Sequence, residues 1–290
     1  MDNIDAFTQD EFEETLFCLV KDFASPSRIT RSEHPKAFLL GGQSGAGKTT
    51  LHNVCADMLD GNAIVINGDE YRSLHPRFEA LKEAYGDDWV SYTAPWSGQL
   101  VEGLIDAFSR MKLNLVIEGT LRTSAVPLKT ASLLNARGYS TSLALMAVKP
   151  EVSLISCQIR YEQMRVAGTT PRATDPAHHA KIVQDIVDNL DELEQSGQFS
   201  DIRLYNRTGA CLWPSPPAQP GSSPLAAEAF EDSDVIQATA PRGGKKKGVP
   251  KTASEALRAI LFGPWTEEEL LHYHHLQQQL EALKDMQTGE

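Results

Sequence analysis

The most specific chemical signal in the sequence is a glycine-rich segment with the spacing GxxxxGK[ST]. It is Gly42-Gln43-Ser44-Gly45-Ala46-Gly47-Lys48-Thr49, followed directly by Thr50. Glycines allow the backbone to wrap closely around an anion, and a helix that begins there points the positive end of its dipole at the same place. Lys48 can reach the β- and γ-phosphates of a nucleotide, and the Thr49 hydroxyl can ligate Mg²⁺. This P-loop (residues 42–49) predicts that residues 42–50 bind ATP with Mg²⁺ rather than form an ordinary turn. Motors, GTPases and kinases share the motif, so it does not decide the fate of the phosphate.

Two acidic residues at the ends of other predicted strands are candidates for the acceptor side of a phosphoryl transfer. Asp69 follows the apolar run at 63–66, and Glu118 ends the run at 113–117. A kinase needs a base that takes the proton from the attacking hydroxyl, and Asp69 is the leading candidate. Glu118 could hold Mg²⁺ through water or hydrogen-bond the acceptor. The alternatives are that Asp69 caps a short helix and that Glu118 is an ordinary strand-end acid.

Two arginines are candidates for neutralising the transferring phosphoryl group. Arg160 falls on a predicted helix at 151–166, and Arg172 falls in the following loop at 168–176. A guanidinium group stays charged and forks onto phosphate oxygens, and a mobile loop that carries one can exclude water from the site. The alternative for each arginine is a place on a solvated surface.

The elements that must position these residues form an alternating pattern of short apolar strands and amphipathic helices. This alternation is typical of an α/β fold with a parallel sheet of about five strands covered by helices on both faces. Ligands bind such sheets at the carboxyl ends of the strands, where the P-loop, Asp69 and Glu118 all fall. The predicted strands are 37–40, 63–66, 113–117, 142–148 and 202–205, and the predicted helices are 10–23, 48–59, 98–111, 126–136, 151–166 and 176–195.

Composition narrows the class of protein and of partner. The chain has 290 residues and a formal net charge of -12, which argues against broad binding to nucleic acid or to an anionic membrane. Its four cysteines lie far apart without zinc-site spacing, which favours a reducing compartment. The start of the chain lacks the order of a signal peptide, and no apolar stretch is long enough to span a bilayer. The sequence therefore predicts a cytoplasmic protein.

The composition also divides the chain into three parts. Residues 1–213 contain the alternating pattern and are predicted to form the P-loop domain. Residues 214–251 are rich in Pro, Gly and Ser and are predicted to be a flexible linker. Residues 252–290 regain helical periodicity, with Leu276 and Leu280 on one stripe, and are predicted to be a short helical extension.

Residues 7–209 resemble the zeta toxin family, the toxin half of epsilon/zeta toxin–antitoxin systems. The resemblance extends beyond the P-loop to several short segments in the same order along the chain. Agreement at that many separate places is far more specific than a P-loop alone. The segments are 69–76 with His75-Pro76, Ile117-Glu118-Gly119-Thr120 with Arg122-Thr123, Ile159-Arg160-Tyr161-Glu162, Arg172-Ala173-Thr174 and 199–207.

The resemblance implies an ATP- and Mg²⁺-dependent kinase that phosphorylates the 3′-hydroxyl of the amino sugar in UDP-N-acetylglucosamine and so blocks cell-wall synthesis. It implies that Asp69 is the catalytic base, and that Lys48, Arg160 and Arg172 act on the transferring phosphate. It implies a small antitoxin partner that packs on the N-terminal helix and obstructs the nucleotide site. It also implies that the sugar nucleotide contacts residues that pattern alone does not single out, namely Glu102, Thr120, Arg122 and Thr130.

The sequence departs from the short members of this family in two regions. The tail after about residue 214 has no counterpart in them, and residues 92–98, which lead to Glu102, differ in detail. Two other functions therefore stay open at this point. One is a P-loop phosphotransferase for another small molecule, such as an antibiotic. The other is an interaction protein that binds nucleotide without turnover.

Overall fold

The computed structural model describes residues 4–24, 29–214 and 250–288. Six strands lie in these ranges: β1 Lys36–Gly41, β2 Ile64–Ile66, β3 Leu115–Glu118, β4 Ser140–Met146, β5 Asp201–Tyr205 and β6 Cys211–Trp213. The α-helices before β3 are α1 Gln9–Ala24, α2 Lys48–Asp57, α3 Phe78–Tyr85, α4 Trp89–Tyr92 and α5 Ala94–Arg110, with 3₁₀ turns at Gly68–Leu74 and Gly86–Asp88. After β3 come α6 Ala125–Ala136, α7 Pro150–Val166, α8 Pro176–Gln195, α9 Ala253–Phe262 and α10 Glu267–Thr288.

The six strands form a single sheet in the order β2-β3-β1-β4-β5-β6. The first five are parallel, and β6 pairs antiparallel with β5 at one edge. Strand β1 lies in the interior of the sheet, where Leu39 is paired with Ile117 of β3 and with Leu143 of β4. The P-loop therefore leaves the sheet between two neighbouring strands, and the predicted α/β fold is confirmed.

Alternate residues of β1 point to opposite faces of the sheet and belong to two separate hydrophobic cores. Leu39 belongs to the core that α1, α5, α6, α8 and α9 cover on one face of the sheet. Phe38 and Leu40 belong to the core that α2, α7 and α10 cover on the other face. Because both faces are covered, the interior strands β1 and β3 are nearly continuous apolar runs, which made them predictable from the sequence.

Helices α9 and α10 supply buried side chains to both cores. Leu257 of α9 is completely buried in the first core, and Leu276 and Leu280 of α10 are buried in the second. The helical periodicity predicted at 252–290 is thus present, and it is packed against the domain. The predicted linker at 214–251 and the predicted end of the first helix at Ser25-Pro26 lie largely or wholly outside the described residues.

Two features differ from the sequence prediction. The sheet gains the three-residue strand β6, and the stretch between β2 and α5 folds into the turns and short helices α3 and α4. Of the helices that the structure describes, none combines the length and the apolar character that a bilayer crossing requires.

Candidate active site

The P-loop connects β1 to α2 through three glycines with positive φ angles. These are Gly42 at 134°, Gly45 at 76° and Gly47 at 98°, a region that other residues rarely adopt. At Gly45 a Cβ atom would overlap the backbone carbonyl of Ser153 on α7, so only glycine fits there. Helix α2 begins at Lys48 without a side-chain hydrogen bond at its cap. The Thr50 N–H donates to the carbonyl oxygen of Gly47 at 3.0 Å. The N–H groups of Lys48 and Thr49 are left for another acceptor, which is the arrangement that suits a nucleotide phosphate.

Lys48 and Glu118 meet at the carboxyl ends of β1 and β3. The buried Lys48 Nζ donates to the carbonyl oxygen of Gly42 at 3.1 Å and lies 3.6 Å from Glu118 Oε1. The other carboxylate oxygen of Glu118 lies 2.7 Å from His52 Nε2. Burial would raise the pKa of the Glu118 carboxyl, but His52 and Lys48 outweigh it and hold that pKa below its usual value. Glu118 is therefore ionised at neutral pH and orients the P-loop lysine.

Asp69 follows β2 and is held between two arginines. Its Oδ1 accepts from Arg72 Nε at 2.9 Å, and its Oδ2 lies 2.8 Å from Arg172 Nη1. The helix-cap alternative is wrong, because the side chain of Asn67 caps this 3₁₀ turn by accepting from the Asp69 N–H. Partial burial would raise the pKa of Asp69, but Arg172, Arg72 and Lys48 together lower it. Asp69 is thus a carboxylate at neutral pH, the form that a general base requires.

Arg160 projects from α7 with part of its guanidinium group unsatisfied. Its Nε is buried, and within the described residues it has no hydrogen-bond partner. A buried N–H of a charged group is costly to leave unpaired, so an acceptor from a ligand would be strongly favoured there. A phosphate oxygen meets that need.

A cavity of about 280 Å³ opens beside Asp69 and Arg172. Its walls combine two arginines with aromatic and apolar side chains, the mixture typical of a site that orients a small polar molecule. The lining residues are Asp69, Arg72, Ser73, Phe78, Trp89, Met164, Thr170 and Arg172.

The four residues assigned to the sugar nucleotide by resemblance lie on other elements. Glu102 is on α5, and its carboxylate pairs with Lys129 Nζ of α6 at 2.9 Å in an exposed position. Thr130 is the next residue of α6, and Thr120 and Arg122 are in the connection from β3 to α6. Arg122 is exposed. Their contact with a sugar nucleotide stays a prediction.

Two residues of this site were not predicted from the sequence. His52 lies one turn after Lys48 on α2, a spacing that places both side chains on one helix face toward Glu118. Arg72 lies three residues after Asp69 in the 3₁₀ turn, and it also donates to the carbonyl oxygen of Val90 at 2.7 Å. The i+4 and i+3 spacings were the available signals in each case.

The residues present fit a nucleotide phosphate with Mg²⁺. The glycine cradle, the uncapped start of α2 and Lys48 all offer positive groups to one anion. Thr49 is exposed at the start of α2, where its hydroxyl can serve the metal. Mg²⁺ keeps waters and nucleotide oxygens as most of its ligands, so it needs few protein donors. In the described part of the chain no three His, Cys, Asp or Glu residues form a self-sufficient metal site.

Comparison with known sequences identifies a family and relatives of this chain. A protein-family model described as zeta toxin matches residues 22–216. Toxin PezT of Streptococcus pneumoniae is 38% identical over 268 residues, which is 92% of this chain and 92% of that protein. Toxin zeta of Streptococcus pyogenes is 34% identical over 285 residues, which is 98% of this chain and 95% of that one.

Comparison with solved structures gives the same result. A structure from the characterisation of the PezAT chromosomal toxin–antitoxin system of Streptococcus pneumoniae superposes with a TM-score of 0.78 and is 34% identical in sequence. The superposition covers 97% of this chain and 99% of that one, so α9 and α10 fall within the shared length.

Proposed function

This chain belongs to the zeta toxin family, and from that premise we propose that it is a kinase that transfers the γ-phosphoryl group of ATP to a UDP-sugar. The acceptor that we propose is UDP-N-acetylglucosamine, phosphorylated at the 3′-hydroxyl of its amino sugar. The product would no longer serve cell-wall synthesis, which would make the activity toxic.

The observation that carries the proposal is the meeting of three charged groups at one edge of the sheet. Lys48 follows β1, Asp69 follows β2, and Arg172 comes from the loop between α7 and α8, yet the last two are 2.8 Å apart. The charge of Lys48 lowers the pKa of both Asp69 and Glu118, and the charge of Asp69 raises the pKa of Glu118. A base and phosphate-binding cations side by side are the groups that phosphoryl transfer to an alcohol requires.

In this mechanism each residue performs a separate task. The P-loop amides and Lys48 hold the β- and γ-phosphates, and Thr49 holds Mg²⁺, which neutralises charge on the phosphate oxygens when it is bound. Asp69 accepts the proton of the attacking hydroxyl at a carboxylate oxygen. Arg160 and Arg172 donate to the oxygens of the transferring group.

The acceptor would occupy the 280 Å³ cavity beside Asp69 and extend past the ends of β2 and β3. Glu118 lies at the end of β3, where it can orient the acceptor or a metal-bound water. We propose that the sugar nucleotide also contacts Glu102, Thr120, Arg122 and Thr130. Binding there requires the Glu102 carboxylate to leave its exposed ion pair with Lys129. This costs little free energy, because surface ion pairs contribute little to stability.

We also propose a small antitoxin as the partner of this chain, since the PezAT relative is part of a toxin–antitoxin system. Helix α1 is the surface that we assign to it. Its Phe17 side chain is 68% exposed, while Phe12 and Leu16 lie against Gly103 of α5. An exposed aromatic on an anchored helix is a suitable contact for a second protein.

The experiment is to incubate the purified protein with ATP, Mg²⁺ and a panel of UDP-sugars and to weigh the products by mass spectrometry. We expect UDP-N-acetylglucosamine to gain one phosphate and its 3-deoxy analogue to gain none. The variant Lys48→Ala is the control for contaminating kinases. If a preparation that binds ATP phosphorylates no UDP-sugar, the proposed acceptor class is wrong.

A further inference from the structure

Arg207, which comes just after β5, braces the P-loop from outside the phosphate cradle. Its Nε donates to the carbonyl oxygen of Ala46 at 3.3 Å, and its Nη2 donates to the carbonyl oxygen of Gly45. The Arg207 side chain also lies against Gly47, where an added Cβ would be 3.5 Å from its Cγ. One guanidinium group therefore holds two successive peptide units of the loop.

Because Arg207 holds these two carbonyl groups, it also fixes the direction of the N–H groups in the same peptide units. A peptide unit is planar and trans, so its N–H points away from its C=O. With the Ala46 carbonyl held by Arg207, the Gly47 N–H is directed to the opposite side, into the cradle. The Ala46 N–H is likewise fixed and donates to the Gln43 carbonyl oxygen at 3.2 Å. Arg207 thus sets the conformation of the loop that must receive the nucleotide.

The same side chain is fixed by contacts on two further helices. Its Nη2 donates to Ser156 Oγ of α7 at 2.7 Å, and its Nη1 lies 3.3 Å from His272 Nε2 of α10. The backbone carbonyl of Arg207 accepts from the Thr50 hydroxyl of α2 at 3.3 Å. These contacts leave the guanidinium little freedom to move away from the loop.

Arg207 carries a positive charge that no carboxylate of the described residues pairs with in an ion pair. Its partners are carbonyl oxygens, a hydroxyl and an imidazole. A partly buried charge without a counter-ion is unfavourable, and an anion nearby would relieve it. A nucleotide phosphate bound in the P-loop of the proposed function would be such an anion.

We propose that Arg207 is a positioning residue of the nucleotide site, which holds the Gly45 and Ala46 peptides and supplies uncompensated positive charge behind the phosphates. The inference rests on the nucleotide site of the proposed function and is independent of which acceptor is used. The segment after β5 thereby takes part in nucleotide binding, although none of its groups touches the reacting atoms.

The test measures the affinity of the full-length protein for ADP with Mg²⁺ by calorimetry. We expect Arg207→Met to weaken ADP binding by about 10- to 100-fold, the effect of losing one or two hydrogen bonds from a charged donor. Arg207→Lys retains the charge but cannot fork onto two carbonyls, so its loss should be smaller. The matched control is Arg203→Met, which removes an arginine of β5 that pairs with Asp201 at 2.5 Å.

Thermal unfolding of each variant separates a binding effect from a folding effect. If Arg207→Met does not fold, the ADP affinities of Arg207→Lys and the wild type are compared instead. A weaker affinity in Arg207→Lys supports the proposal, and an equal affinity contradicts it. In the kinase assay the loss should appear as a higher KM for ATP, with the KM for the acceptor unchanged. Equal ADP affinity in wild type, Arg207→Lys and Arg207→Met would overturn the assignment, even if the sugar panel succeeds. A weakened affinity would support it even if no UDP-sugar is phosphorylated.

Discussion

Arg172 Nη1 lies 2.8 Å from Asp69 Oδ2, although one residue belongs to the α7–α8 connection and the other to the turn after β2. The pair joins the residue predicted to remove a proton to a residue predicted to bind the phosphate. In the protein without ligands the two charges neutralise each other. When a phosphoryl group enters, Arg172 can exchange one anionic partner for another without crossing the site.

Replacing the predicted base tests the chemistry most directly. Asp69→Asn keeps the size of the side chain but cannot accept a proton, so we expect kcat to fall by about 100- to 10,000-fold. Affinity for ATP, measured by calorimetry, should change little. The control is Asp185→Asn, an aspartate of similar exposure that pairs with Lys181 at 2.9 Å on α8. A kcat close to that of wild type would remove Asp69 from the role of base.

The pH dependence of activity should reveal the contribution of Arg172. Arg172 is the largest attractive influence that lowers the pKa of Asp69, whereas burial acts to raise it. In Arg172→Ala the pKa of Asp69 should therefore rise, and the acid limb of the kcat/KM profile should move to higher pH. We also expect kcat to fall by about 1,000-fold, as for other transition-state arginines.

The control for this experiment is Arg165→Ala, which removes an arginine of α7 that pairs with Glu162 at 3.3 Å. Its pH profile should overlay that of wild type. An acid limb that stays in place in Arg172→Ala would contradict the proposed coupling between the two residues.

Glu118 should make the stability of the protein depend on pH. Its folded-state pKa is below the unfolded value of about 4.3, because His52 and Lys48 outweigh the effect of burial. Ionised Glu118 therefore stabilises the fold above that unfolded value, and the stabilisation is lost as the pH falls through the lower folded value. Denaturant titrations should show Glu118→Gln less stable than wild type at neutral pH, with the gap closing in acid. A gap that is constant with pH would assign the effect to packing instead.

The C-terminal helices should be necessary for stability. Leu257 of α9 is fully buried, so Leu257→Ala should lower the free energy of unfolding by about 2–5 kcal/mol. Leu271 of α10 is 72% exposed, and Leu271→Ala should change that free energy by less than about 0.5 kcal/mol. Denaturant midpoints measure both. Similar small changes in the two variants would mean that α9 is dispensable to the domain.

Most of the fold could be predicted because its strands are buried on both faces and its longer helices are amphipathic. Strand β6 was missed, since a three-residue strand with half-buried side chains leaves no periodic pattern. The packing of α10 onto the second core was also not predictable. The stripe with Leu276 and Leu280 indicated a helix with a partner surface, but a stripe does not say which surface.

The candidate site was predictable where a local motif fixes the geometry. The P-loop is such a motif, and its conformation follows from its glycines. The pairing of Asp69 with Arg172 was not predictable from spacing, because it depends on how the α7–α8 connection folds back over the sheet. The bridge from Lys48 through Glu118 to His52 required the register of β1 and β3, in which Leu40 is opposite Glu118.

The strand order β2-β3-β1 also determines the width of the reaction space. Asp69 and the P-loop extend two strands that have a single strand between them, and neighbouring strands are about 4.8 Å apart. Their starting points are consequently separated by about 10 Å. That interval accommodates one hydroxyl oxygen and one phosphorus in line, with side chains reaching in from both sides. The backbone of the sheet thus sets the distance between the base and the phosphate site, and with it the space for an acceptor alcohol, independently of the side chains that line that space.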